Sequence, residues 1–116
     1  LSSNEGAYFG FLRDIFDAQT KYKDAHGAYA DSFEELTDPP NGLPFLGEDW
    51  CPDGMKWDYQ FTVKATNNGK SFEITASPGE GTGYERYFFV DSSGVCRVNS
   101  DGQADATSKI LGDFSD

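Results

Sequence analysis

The chain has 116 residues, and nine Lys and Arg against twenty Asp and Glu leave a formal net charge of -11, with 37% hydrophobic and 16% aromatic content. That length and apolar content suit one domain with a packed core, while the acidity repels phosphate and anionic membrane surfaces and argues against nucleic acid as a partner. No apolar run reaches the roughly 18 to 20 residues that span a bilayer. No basic-then-apolar signal segment opens the chain, and Leu1-Ser2-Ser3, lacking Met and running straight into a helical pattern, reads as a trimmed start.

From Glu5 to Ala25 apolar residues recur at helical spacing. Tyr8, Leu12, Ile15 and Tyr22 form one stripe, and Phe11, Ala18 and Ala25 widen it. The predicted helix covers about residues 4–26, with Asn4 as N-cap and His26-Gly27 as the stop. Gly6 and Gly10 lower its propensity near the start, so the first turn is expected to fray. Ser32-Phe33-Glu34-Glu35 is a capping-box pattern and predicts a short helix that ends before Pro39-Pro40. The loop region then extends to about Lys56, rich in Pro, Gly and Asp and long for an unpinned connection.

The period then changes from helical to alternating. Trp57, Tyr59, Phe61, Val63 and Ala65 alternate with polar residues, as in a strand with one buried face, so Trp57 and Tyr59 are expected in the core. Asn67-Asn68-Gly69 predicts a hairpin turn into a strand carrying Phe72, Ile74 and Ala76. A third strand is expected near Glu85 to Val90 and a fourth from Val95 to Val98, across the turn Asp91-Ser92-Ser93-Gly94. The tail, 99–116, is polar apart from Ile110, Leu111 and Phe114 and is expected to pack only in part. The fold class is therefore α+β, a long N-terminal amphipathic helix on a three- or four-stranded antiparallel sheet in one domain spanning 1–116.

Two cysteines, Cys51 and Cys96, lack zinc-type spacing, and a single disulfide is their simplest use. Such a bridge would close a loop of about 45 residues, constrain the unfolded chain by roughly 4 kcal/mol and place the protein in an oxidising compartment. Two unconnected buried thiols are the alternative. His26 is the single histidine and has no nucleophile at a recognisable spacing, and no Gly-x-Ser-x-Gly elbow occurs, so no catalytic residue is assigned and an enzyme is not expected. The glycines Gly79, Gly81 and Gly83 have no Lys and no following helix to cradle a phosphate, and no cofactor is expected. Asp101 and Asp105 flank a Gly-containing acidic loop and are weak calcium candidates, since the twelfth position from Asp101 is Gly112 where an EF-hand needs Glu. Trp50, Tyr84 and Tyr87 remain as aromatics open to a role, Trp50 as an anchor for a neighbouring subunit or a glycan.

The stretch from Asn4-Glu5-Gly6-Ala7 through Leu12-Arg13, Ala18-Gln19 and Tyr22 to Gly27-Ala28-Tyr29-Ala30 and Leu36 resembles the start of the soluble part of type IV pilin-like proteins and pseudopilins. The second half is similar to them as well, in Ala76-Ser77-Pro78, Gly83 to Asp91 and Gly94-Val95-Cys96-Arg97. The resemblance implies a structural subunit of a pilus-like or pseudopilus filament, with an upstream apolar segment of roughly 20 to 30 residues, enough to span a bilayer. A prepilin peptidase would process that segment and the inner-membrane machinery would assemble it. Its partners would be other copies and related pilins, and its place extracytoplasmic, in a cell-surface or periplasmic filament. A stand-alone extracellular binding module for calcium or glycan is the alternative. The apolar arc of the helix, roughly 200° wide, exceeds what one sheet face covers. Phe9 and Phe16, at one edge of it, are the candidate filament contacts, unless the loop after Asp38 or the short helix folds over them.

Overall fold

The computed structural model describes residues 3–39, 42–47, 49–81, 83 and 86–114, with side chains from residue 6 onward. Helix α1 spans Ser3–His26 and α2 spans Phe33–Thr37. Six strands follow: β1 Met55–Lys56, β2 Tyr59–Thr66, β3 Ser71–Pro78, β4 Tyr87–Asp91, β5 Val95–Asn99 and β6 Lys109–Asp113. They form one antiparallel meander in chain order. The helix-on-sheet arrangement is α+β, but the expectation of three or four strands is wrong. β1 is too short to show a period, and β6 comes from the polar tail, where backbone pairing with β5 rather than an alternating pattern makes the strand.

The core lies between α1 and one sheet face. Tyr8, Leu12, Ile15, Ala18 and Tyr22 are buried against Tyr59, Phe61, Val63, Phe72, Ile74, Ala76, Phe88, Val90, Cys96 and Val98. The register sets Phe61 opposite Ala76 and Phe72 opposite Ala65, so large and small side chains face each other across β2 and β3. Ala25 is exposed, whereas Gln19, between Tyr8 and Leu12 on the buried stripe, has a fully buried side chain. Gln19 Nε2 donates to the Ala30 carbonyl at 2.9 Å and its Oε1 accepts from the Ala30 amide at 2.8 Å, so the amide is satisfied and the chain is turned back at the end of α1. Asn4 lies inside α1 rather than capping it.

At α2 the N-cap half of the expected capping box forms, with the Ser32 hydroxyl accepting from the Glu35 amide. The carboxylate of Glu35 reaches the Asp31 amide and accepts from the Tyr22 hydroxyl at 2.7 Å, tying α2 to α1. Burial, reinforced by the Glu35 hydrogen bond and charge, pushes the Tyr22 phenol up to about 12.

Both ends of β2 turn through left-handed backbone. Asn67, Asn68 and Gly69 have φ of 52°, 57° and 81°, which these residue types accept readily. At the other end Trp57 and Asp58 have φ of 51° and 65°, where a bulky side chain is unusual and costs on the order of 1 kcal/mol. Trp57 is therefore a turn residue, 59% exposed, and not a core strand residue; its companion Tyr59 is buried as expected. The helix runs alongside β2, since the Tyr8 hydroxyl donates to the Trp57 carbonyl and the Tyr29 amide donates to the Gly69 carbonyl. The two turns thus mark opposite ends of the head.

Behind the sheet, the segment after β5 folds over the free face. Ala104 and Phe89 are buried, Ser77 Oγ contacts Gln103, and an Arg97 guanidinium nitrogen donates to the Ser108 carbonyl at 2.9 Å. The tail thus packs more fully than its polarity suggests. Further along, the free face stays polar, with the Thr62 and Thr75 hydroxyls in contact across the β2–β3 pair.

Candidate functional site

The broad apolar arc of α1 is covered by three different structures. Its centre lies on the sheet. On the Phe11 flank, the loop after α2 brings Trp50, 5% exposed, edge-on to Phe11 and Phe61 and within 5.4 Å of the Phe33 ring. Lys56 Nζ sits 4.7 Å from the Trp50 ring centre and 5.0 Å from that of Phe11, with Asp49 Oδ2 at 2.9 Å. That lysine holds Asp49 below the ordinary carboxylate range. Leu46 is buried, and the Phe45 and Leu46 amides both donate to the Leu36 carbonyl. At the edge of β2, Gly54 has φ of 79° and room for no Cβ, because the Phe61 carbonyl oxygen would lie 2.2 Å from it. Trp50 is therefore a core anchor rather than a surface one.

On the opposite flank Phe9 and Phe16 are half-buried. Their cover is neither the loop nor α2 but the C-terminal end: Phe114 lies 4.6 Å from Phe9 and 5.8 Å from Phe16, and Phe72 lies 5.6 Å from Phe16. The Phe9 ring occupies the space over Gly112, where an added Cβ would meet Phe9 Cζ at 2.5 Å. Arg13 closes the flank with its guanidinium 5.9 Å from the Phe114 ring centre. Phe9 and Phe16 thus have partners within their own chain.

Cys51 and Cys96 are free thiols, so the expected bridge is not formed. Cys51 is exposed and lies just before Gly54, whose carbonyl accepts from Phe61 on β2; Cys96 is fully buried on β5, opposite Val90 and Gly112. Three strand spacings separate β2 from β5, about 14 Å, whereas disulfide Cα atoms lie within about 7 Å of each other. The loop that seemed to need a covalent pin is held by Trp50 and Leu46 instead. Burial pushes the Cys96 thiol up to about 12.

Around the acidic loop the hydrogen bonds are local. Asp105 Oδ1 accepts from the Thr107 amide at 2.8 Å and its hydroxyl at 2.6 Å, which holds its carboxyl below the usual range. The Asp101 amide donates to Asn99 Oδ1. No group of three His, Cys, Asp or Glu side chains converges to hold a metal among the described residues. His26 stacks on Tyr22, ring centres 4.3 Å apart, at the end of α1. Tyr87 is half-buried at the start of β4, while Tyr84 and Glu85 lie outside the described residues.

What remains uncovered is the face of α1 turned roughly 180° from the Tyr8, Ile15 and Gln19 stripe, at 100° per residue. Gly6 and Gly10 lie there, followed by Asp17 and Asp24, all exposed. A Cβ at Gly6 or Gly10 would meet nothing within 4 Å, and neither φ is positive. Nothing inside the head requires glycine at either position, although each lowers helix stability by roughly 1 kcal/mol relative to Ala. No signal of the hydrophobic period points to this face; the glycine spacing alone marks it. No described helix is long and apolar enough to cross a membrane. Comparison with protein-family models, curated proteins and solved structures finds no match to this chain.

Proposed function

We propose that the chain is the head of a type IV pilin-like filament subunit, a structural protein that assembles through α1 with copies of itself and related subunits. The observation that carries this reading is the Gly6 and Gly10 face: two glycines four residues apart, pointing away from the core, with no use inside the head. Removing two Cβ atoms lets a second helix axis approach closely and gain backbone contact. Beyond that face, the resemblance of both halves to pilin-like sequences supplies the upstream apolar helix, its peptidase and assembly machinery, and the extracytoplasmic setting. The α+β layering is consistent with the reading, because it leaves one side of a long helix free over its whole length.

The test is a pair of substitutions in the protein carrying its native upstream sequence. Gly6→Leu with Gly10→Leu should leave the head folded, and more resistant to denaturant by about 1 to 2 kcal/mol from helix propensity, while filament formation is lost. Filaments of ordinary yield from that variant, seen by electron microscopy, would overturn the reading.

A further inference from the structure

An asparagine side chain is chemically labile when glycine follows it. The glycine nitrogen, once deprotonated, bonds to the asparagine Cγ, the Cγ–Nδ2 bond breaks, ammonia leaves, and a succinimide ring remains. Water then opens the ring at either carbonyl, giving aspartate or the backbone-shifted isoaspartate. Water enters and ammonia leaves, with no change of oxidation state. Glycine favours the closure because it has no Cβ to obstruct the approaching carbonyl. The chain holds this dipeptide at Asn41-Gly42 and at Asn68-Gly69, and Asn41 lies outside the described residues.

The turn between β2 and β3 leaves the reacting group at Asn68 open. Asn68 is exposed, and its carboxamide has no hydrogen-bond partner among the described residues. Its φ of 57° and ψ of 38° interrupt the single turn of 3-10 helix, Asn67–Gly69, that contains the Gly69 amide, so closure needs only that short turn to open. Related sites are held. Asn99, followed by Ser100, donates through Nδ2 to the Gln103 carbonyl at 3.3 Å and accepts through Oδ1 from the Asp101 amide at 3.1 Å. At Asp53-Gly54 the glycine amide donates to the Cys51 carbonyl at 3.0 Å and Asp53 Oδ1 accepts from the Met55 amide at 3.0 Å.

The fold also fixes glycine as the neighbour. Gly69 has φ of 81°, and a Cβ there would lie 2.9 Å from Ala28 Cβ. Its carbonyl accepts from the Tyr29 amide at 3.0 Å, which joins the hairpin to the segment leaving α1. We propose that Asn68 is a site of spontaneous deamidation, and that isoaspartate formed there releases this segment from the hairpin. Isoaspartate routes the backbone through the side chain and adds a methylene to it, so Gly69 shifts away from Ala28 and Tyr29 while the Thr66 and Ser71 pair still closes the ladder. The aspartate product accepts the same left-handed turn and leaves the contact intact. The inference stands apart from the filament reading.

The native 116-residue chain, incubated at mildly alkaline pH and mapped by mass spectrometry of its peptides, should show Asn68 converted to aspartate and isoaspartate, faster as the pH rises. The isoaspartate-containing chain should melt about 3 to 6 °C lower, the shift expected for losing a single hydrogen bond in a domain of this size. Asn68→Gly, which keeps the turn and removes the carboxamide, should hold its melting temperature through the same incubation, and unincubated Asn68→Asp should melt with the fresh wild type. Asn68 left intact while Asn41 converts, or converted only once the chain is unfolded in urea, would overturn the proposal. So would an isoaspartate chain that melts with the fresh protein, or an Asn68→Asp chain that melts as low as the isoaspartate form.

Discussion

The two flanks of α1 solve the same problem by opposite means. The Phe11 flank is covered by a long irregular loop whose order comes from one buried indole, a lysine held between aromatic rings and a carboxylate, and two amides on the Leu36 carbonyl. The Phe9 and Phe16 flank is covered by an edge strand, where Gly112 leaves a space for Phe9 and Phe114 closes over it. On the first flank side-chain packing orders a backbone that has few ladder hydrogen bonds of its own. On the second, the backbone ladder with β5 is already in place and side chains only have to fit it. The first should therefore depend on one residue, the second on shape.

The largest effect expected from breaking that contrast is at Trp50. Trp50→Ala should cost about 3 to 5 kcal/mol, measured by urea unfolding, and should expose the loop around residue 45–50 to protease before the sheet opens. A loss below about 1 kcal/mol would mean that the loop is ordered by something other than the indole.

A smaller effect is expected at Gly112. Gly112→Val should cost about 1 to 3 kcal/mol through collision with Phe9, and Phe9→Ala in the same chain should recover part of that loss instead of adding to it. Simple additivity in the double-mutant cycle would show that Phe9 does not occupy the space over the strand.

At neutral pH the smallest effects belong to the ionisable groups. In native protein at neutral pH, Cys51 should react with a thiol reagent within minutes and Cys96 only after unfolding, giving two reactive thiols per denatured chain without reductant. Because the folded-state values of Cys96 and Tyr22 are raised from 9.0 and 10.0 to about 12, the unfolded chain loses those protons first. Their contribution is fully present below about pH 9 and is lost as the pH rises toward 12, so the melting temperature should fall across that window. Cys96→Ala with Tyr22→Phe should flatten the decline; an unchanged alkaline profile would place both groups in contact with water.

Much of the fold was legible because it rests on local periodicity. The long helix, the Ser32 cap, the Asn67-Asn68-Gly69 turn and the alternation through Phe61, Val63, Phe72 and Ile74 each leave a signal within a few residues. Trp57 broke the reading because its place in the alternating run is interrupted by a two-residue turn, and the turn type usually announces itself by Asn or Gly. Phe9 and Phe16 lie at one edge of an arc too wide for the sheet, and the cover over them comes from the far end of the chain, which periodicity does not reach. The disulfide failed for a similar reason: the number of cysteines is visible in a sequence, whereas the strands between them are not.

The sequence by itself determined where the chain is helical, where it alternates and which stripe of α1 is apolar, since backbone propensity and side-chain period act over one or two turns. Only the tertiary structure decided that β6 closes the sheet, that Trp50 rather than a disulfide orders the long loop, and that Gly6 and Gly10 have no neighbour in the head. Those outcomes depend on which distant surfaces exclude water together, and that free energy is fixed by contacts between residues dozens of positions apart.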